Sequence, residues 1–347
     1  MSDISEPLND YFSEKKALIE KSIESIIPVE CTYESMNHIA GKVDLEWDYS
    51  TLQRTFFDIV HKYLDKRIEK QVCLDVCIFL EAAGKELEKF IPLLGLPAFF
   101  ETSNEIFQDI INWTNRLDYE SGGISSVDLS IAGNVSIALL TLPSHNLIFN
   151  RLEIDAGKLL KVYESFTANI FYSLLGNGMK LFWEQLKKIP LDLKEYYGTA
   201  SLLKRGFLKF AADLWVLFNE KHCNENVVAA LNKYIESRTI AIQIERDLLS
   251  FERMQAGFNK NKTNHFNPYS NFLFIHAASK SYDTSIPQER LTDEQVTNLI
   301  FRTESVDHAE NQINEFKRTS VNYLKNIPIE RRYKELLESY CDYIAHK

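Results

Sequence analysis

Two short polar boxes interrupt otherwise apolar helical patterns in this 347-residue chain, Gln108-Asp109-Ile110-Ile111-Asn112 and Arg246-Asp247-Leu248-Leu249-Ser250. On an α-helix the first and last residues of such a box share a face, so the boxes present Gln108 with Asn112 and Arg246 with Ser250. Magnesium takes hard oxygen ligands in octahedral geometry and is usually held by one or two carboxylates plus phosphate oxygens. Gln108 and Asn112 can ligate through neutral carbonyls but supply no charge. Asp109 and Asp247 supply carboxylates, although as middle positions they point partly sideways, and Arg246 repels a dication. A guanidinium is suited instead to bidentate recognition of phosphate. Arg246 is then a cation that would hold a phosphate group without a metal. The bland alternative pairs Arg246 with Asp109, Glu105 or Glu245 and leaves no ligand site.

Other chemistry-bearing residues form less specific patterns. Glu101, Glu105, Asp109 and Asn112 fall on neighbouring faces of one helix, which fits a shifted metal site with Asp247 or a solvated acidic stripe. Cys73 and Cys77 stand one helical turn apart in an apolar run without a His or Cys partner at metal-ligand spacing, so they are expected to be reduced core thiols. His265 is a lone loop histidine. Asp307-His308-Ala309-Glu310 lacks the second histidine or carboxylate pair that a metal site needs. Gly176-Asn177-Gly178 does not form a phosphate-cradling loop. Phe107, Trp113, Phe166, Phe171, Phe182, Trp183, Trp215 and Phe218 recur at helical spacing, as core residues do more often than residues that line an apolar ligand pocket, the alternative reading.

The elements that must position these residues read as helices throughout. Helical spacing is expected over 8–27, 50–70, 72–90, 101–117, 125–142, 152–175, 192–219, 226–254, 271–281, 307–324 and 329–345. A break is expected at Leu93-Leu94-Gly95-Leu96-Pro97, and Thr292-Asp293-Glu294-Gln295 reads as a capping box. No strand-like alternation, internal repeat or low-complexity tract is present. The expectation is one all-α domain over residues 1–347.

Composition agrees. Gly (12) and Pro (9) are sparse, which favours long helices over turn-rich sheets. A net charge of −10 argues against a general nucleic-acid binder, because phosphate-backbone contacts need clustered Lys and Arg. The five cysteines, Cys31, Cys73, Cys77, Cys223 and Cys341, are scattered. The acidic start lacks a signal peptide's apolar stretch, and no run reaches the ~18 apolar residues of a membrane span. A cytoplasmic protein is expected.

In order along the chain, several boxes resemble the trans-isoprenyl diphosphate synthase (polyprenyl synthetase) family from about Glu101 onward. Glu101 with Gln108–Asn112 resembles the first Asp-rich motif, Asp-Asp-x-x-Asp, and Gly133 begins a small-residue helix like the one that follows it. Tyr197-Gly198-Thr199-Ala200-Ser201-Leu202-Leu203-Lys204 resembles the family's Tyr…Lys-Thr segment, and Ile242-Gln243-Ile244-Glu245-Arg246-Asp247-Leu248-Leu249-Ser250 resembles Phe-Gln-Ile-x-Asp-Asp-x-x-Asp. Lys262-Thr263 with a displaced Pro268 resembles Lys-x-Thr-x-Pro. Residues 1–100 match poorly; Gly84-Lys85 is similar to the start of Gly-Lys-Arg-x-Arg-Pro, without its arginines.

The resemblance implies an isoprenoid synthase-like helical bundle acting on an allylic prenyl diphosphate. It implies Lys204, Gln243, Lys262, Gln108, Asn112 and Phe107 as substrate-side residues, with Phe107 among those that limit chain length. Asp109, Asp247 and Arg246 take the ionisation site, and magnesium, where present, binds Asp109 and Asp247. It also implies a homodimer, or a heterodimer with a related synthase. Because the boxes lack most of the carboxylates of three-magnesium ionisation, two functions stay open. One is a divergent prenyltransferase or cyclase with a rebuilt ionisation site; the other is a catalytically inactive partner subunit of an active prenyl diphosphate synthase.

Overall fold

The computed structural model describes residues 6–27, 58–61, 64, 72–114, 126–149, 152, 154–190, 192–203, 205–256, 266–280 and 291–343. Lys204, Lys262, Thr263 and His265, most of the expected 50–70 helix, and the side chains of Gln108, Asp109, Asn112 and Trp113 lie outside the described residues. Helices come in the order α1 (Glu6–Ile26), α2 (Leu74–Ala82), α3 (Ile91–Leu94), α4 (Leu96–Thr114), α5 (Ser126–Phe149), α6 (Ala156–Leu186) and α7 (Leu193–Leu203). Then follow α8 (Arg205–Phe218), α9 (Glu225–Gln255), α10 (Phe272–Lys280), α11 (Asp293–Arg302), α12 (Ser305–Lys325) and α13 (Arg331–Tyr343). Among the described residues there is no strand, as the sequence pattern leads one to expect.

Two compact units divide the chain. The first holds Met1–Leu8, Ala168–Ala212 and Asn219–Lys347, and the second holds Asn9–Thr167 and Asp213–Phe218. In the first, α9 packs along α12 as the principal helix pair. Trp183, Tyr196, Ile244, Phe251, Phe272, Phe274, Ile300 and Ile313 fill its core. Asn224 caps α9, its side chain accepting the Val227 amide proton at 3.0 Å. Thr292 and Gln295 form the expected capping box at the start of α11.

In the second unit α4 and α5 are the closest partners. Ser103 and Ser136 lock them, each hydroxyl donating to the other's carbonyl, at 2.8 and 2.9 Å. Cys73 and Cys77 are buried free thiols, as expected, and burial pushes Cys73 up to about 12. The α4 helix begins at Leu96, earlier than expected. Pro97 occupies its first turn, where a missing N–H and a fixed φ cost nothing.

The largest departure from the expected elements is α6, 31 residues long and unbroken through Gly176-Asn177-Gly178. Two helical glycines disfavour a helix by about 1 kcal/mol each. Gly176 is there because a Cβ would lie 2.9 Å from Leu202 Cβ and 3.1 Å from the Leu203 amide nitrogen. The glycine lets α6 touch the end of α7. Ser173, one turn earlier, joins in: its hydroxyl donates to the Leu202 carbonyl at 3.1 Å and accepts from the Gly206 amide at 2.7 Å. The expected helix over 192–219 is helical over Leu193–Leu203 and Arg205–Phe218, with Lys204 outside the described residues.

The aromatic residues expected in the core divide. Phe166, Trp183 and Trp215 are buried, whereas Phe171 and Phe182 are exposed on α6 at 63% and 49%. No described helix is long and apolar enough to cross a membrane.

Candidate functional site

Asp247 is the organising group of the first unit's polar site. It lies on the buried face of α9, 5% exposed. One carboxylate oxygen, Oδ2, accepts from the Tyr196 hydroxyl of α7 at 2.7 Å and from the Phe272 amide at the start of α10 at 2.8 Å. The other, Oδ1, accepts from Gln243 Nε2, one turn back on α9, at 2.9 Å. Asn271 completes the junction. Its amide nitrogen donates to the Asp247 carbonyl at 2.8 Å and to Ser250 Oγ at 3.1 Å, and its side-chain oxygen accepts the Leu273 amide proton at 3.0 Å. The first two amides of α10 thus find partners in Asp247 of the polar box and in Asn271, which is how helix ends are satisfied.

Burial pushes the Asp247 carboxyl above the usual carboxylate range, and the Lys180 charge with the three hydrogen bonds pulls it back. Burial, and then the Asp247 charge, hold Tyr196 well above the ordinary phenol range, so the phenol stays protonated as a donor. Beside it, burial raises Tyr197 to about 12, and its hydroxyl donates to Gln312 Oε1 at 2.9 Å.

Arg246 is half-buried next to Asp247 and, among the described residues, has no ion pair or hydrogen bond. Glu245, one of its candidate acids, instead meets Lys317 of α12 at 3.2 Å. Of the expected site residues, then, Gln243, Arg246 and Asp247 are brought together. Gln108, Asp109, Asn112 and Phe107 fall on α4, where Phe107 is exposed.

Lys180 is the site residue that the sequence motifs missed. The signal lay in α6 itself, where Asn169, Ser173, Asn177, Lys180 and Glu184 recur at helical spacing in a largely apolar run. Asn169, Ser173 and Asn177 are buried, and Lys180 is half-buried. Such a stripe marks a polar face turned inward. Its lower end reaches α10's neighbourhood, where Glu184 accepts from the Ser270 hydroxyl.

The resemblance implies magnesium at the second box, and the donors present on α9 do not fit it. Asp247 directs its oxygens at three protein donors, Ser250 donates to the Asp247 carbonyl at 2.8 Å, and Arg246 adds a positive charge. A guanidinium and an ammonium around a shielded carboxylate suit an anion. Among the described residues no group of three or more His, Cys, Asp or Glu is placed to hold a metal ion.

No protein-family model matches the chain, and neither does any curated protein. Solved structures match it over its full length. Geranylgeranyl pyrophosphate synthetase from Pyrococcus horikoshii is 16% identical with a TM-score of 0.73, covering 98% of each chain. Polyprenyl synthase from Caulobacter crescentus, complexed with calcium and isoprenyl diphosphate, is 12% identical with a TM-score of 0.71, over 98% of this chain and 97% of that one. Geranylgeranyl pyrophosphate synthase from Corynebacterium glutamicum, complexed with isoprenyl diphosphate and magnesium, is 12% identical with a TM-score of 0.69, over 95% of this chain and 98% of that one. The chain has the all-α fold of the trans-isoprenyl diphosphate synthases.

Proposed function

We propose that this protein binds an allylic prenyl diphosphate at the α9 box and acts on it as a divergent prenyltransferase or cyclase, with protein cations in place of a magnesium cluster. The observation that carries the reading is Arg246, half-buried beside Asp247 and uncompensated among the described residues, with Lys180 supplying the charge felt most strongly at Asp247. When the bond between the allylic carbon and the bridging oxygen breaks, the electron pair leaves with the diphosphate. Arg246 and Lys180 would neutralise the charge that develops there, the electrostatic task that dominates such a step. Lys204 and Lys262 belong to the same reading as further diphosphate cations, and Gln243 as the residue that orients Asp247. Gln108, Asp109, Asn112 and Phe107 keep the substrate-side roles that the resemblance implies. No step is assigned to magnesium, residues 1–347 are taken as one functional domain, and the cytoplasm is the compartment assigned.

The test is titration of geranylgeranyl diphosphate into the purified protein with a chelator present, followed by product extraction with and without isopentenyl diphosphate. Binding should survive chelation, and Arg246→Ala should weaken it about 10- to 100-fold, the worth of a charged hydrogen bond of about 1.5–3 kcal/mol. Binding seen only with magnesium, or untouched by Arg246→Ala, would overturn the reading.

A partner-subunit role is favoured by a separate observation. Leu160, Phe171, Leu175, Phe182 and Leu186 are all exposed and recur along one face of α6. An apolar stripe of that length fits a subunit interface better than solvent, whether the partner is a second copy or an active synthase. Sedimentation and co-purification distinguish the two, and a protein that stays monomeric beside a related synthase excludes both.

A further inference from the structure

The second compact unit holds a cavity of about 450 Å³ that plays no part in the reading above. Local sequence builds it. The α2 helix ends at Gly84, whose φ of +69° is open to glycine and strained for other residues. Around it the Gly84 amide donates to the Glu81 carbonyl at 2.8 Å and the Lys85 amide to the Leu80 carbonyl at 3.0 Å, the paired bonds of a Schellman cap. Lys85 leaves that turn with its ammonium 5.6 Å from the centroid of the Phe218 ring. Lys158, in the first turn of α6, brings a second ammonium to 5.9 Å from the same centroid. Phe90 packs edge-on against that ring at 5.0 Å, closing the apolar wall.

Neither Lys85 nor Lys158 has an ion pair among the described residues. The two acids that line the cavity are already engaged. Glu86 pairs with Lys89 at 2.7 Å, and Asp155 Oδ1 accepts the Lys158 amide proton at 2.9 Å. Two half-buried lysines therefore bring their ammonium groups to one ring at the cavity wall, each without an ion pair among the described residues. An anion in the cavity would supply that partner to both. The size is that of a small-molecule pocket.

We propose that this cavity binds an organic phosphate, its phosphoryl group between Lys85 and Lys158 and its apolar part against Phe90 and Phe218. It is a ligand site independent of the α9 box. The test is calorimetric titration of the full chain carrying Arg246→Ala, which removes the α9 guanidinium, with phenyl phosphate, inorganic phosphate and benzoate in the presence of a chelator. Phenyl phosphate should bind one per chain and at least tenfold more tightly than either other probe. Adding Lys85→Ala and Lys158→Ala should weaken it at least tenfold, with an unchanged circular dichroism spectrum. Lys85→Arg with Lys158→Arg should retain it. Absence of phenyl phosphate binding, indifference to the double alanine change, or benzoate binding as tightly would overturn the proposal. Failure of the α9 reading would leave these results as expected.

Discussion

Replacing Tyr196 by Phe isolates the bond that ties α7 to the buried carboxylate of Asp247. The ring stays where it was, 5.2 Å from Phe272 and 6.1 Å from Tyr197 between centroids, so packing is preserved and only the hydroxyl is lost. That hydroxyl donates to Asp247 Oδ2 at 2.7 Å in a fully buried setting. A hydrogen bond to a charged acceptor contributes about 1.5–3 kcal/mol, and a neutral one about 0.5–1.5 kcal/mol. The loss should therefore be about 2 kcal/mol while Asp247 is ionised and about 1 kcal/mol once it is protonated. Burial already raises the Asp247 pKa above its unfolded value, so the folded state holds its proton to higher pH than the unfolded one. Over that interval stability falls as pH rises. Tyr196→Phe removes a donor to the charged form and should extend the interval upward. Urea denaturation of both proteins at several pH values between 4 and 7, followed by circular dichroism, measures the difference. A penalty below about 0.5 kcal/mol, or one that does not shrink toward pH 4, would refute the assignment of Asp247 as an ionised junction.

Gly176→Ala should destabilise by up to about 2 kcal/mol, the overlap of its Cβ with the Leu203 backbone and the Leu202 side chain (about 1–3 kcal/mol) less the gain of about 1 kcal/mol that Ala has over Gly in a helix; a raised denaturation midpoint would show that α6 and α7 do not touch there. The buried ring of His276 stacks on that of His308 at 3.9 Å, and its Nδ1 lies 2.8 Å from Ser305 Oγ. Burial, then the charges of His308 and Lys280, lowers His276 to about 4. A lowered histidine pKa favours the neutral ring in the folded state, so its contribution is complete above pH 6.5 and is lost as pH falls toward 4. The full interval corresponds to about 3 kcal/mol, which solvent screening reduces to about 1–2 kcal/mol. His276→Gln should flatten the fall in urea midpoint between pH 7 and pH 5, and an equally steep fall in that variant would assign the effect elsewhere.

Helix period and caps made most of the fold legible. The apolar spacing located α1, α9, α10, α12 and α13 to within two residues, and Thr292 with Gln295 marked the start of α11 as written. The misplaced boundaries share a cause. Gly and Pro signal breaks through local backbone preference, and tertiary packing overrides that preference where a small residue is required for contact. Gly176 is such a case, since its lack of a Cβ serves the α7 contact and leaves α6 unbroken. Pro97 is another, placed in the one turn of a helix that tolerates it.

The second polar box was legible for a different reason than the fold. A motif search looks for carboxylates, and at the second box it finds Arg246 and Ser250 in their place. The box can be recognised because its supporting groups stay consistent with one another. Gln243 and Asp247 sit one turn apart and bond directly, Tyr196 reaches the same carboxylate from α7, and the start of α10 closes over it. None of these groups needs to touch a ligand to perform that role. Had the box decayed without function, a half-buried Arg246 would be expected to settle against the nearest acid. Glu245, its neighbour in sequence, is turned instead to Lys317 on α12. Among the described residues nothing compensates the Arg246 guanidinium, which is costly to bury unpaired, and an anion would offset that cost. On the proposed reading the inverted charge at the box serves a changed ligand chemistry, and Arg246 is therefore the first residue to alter.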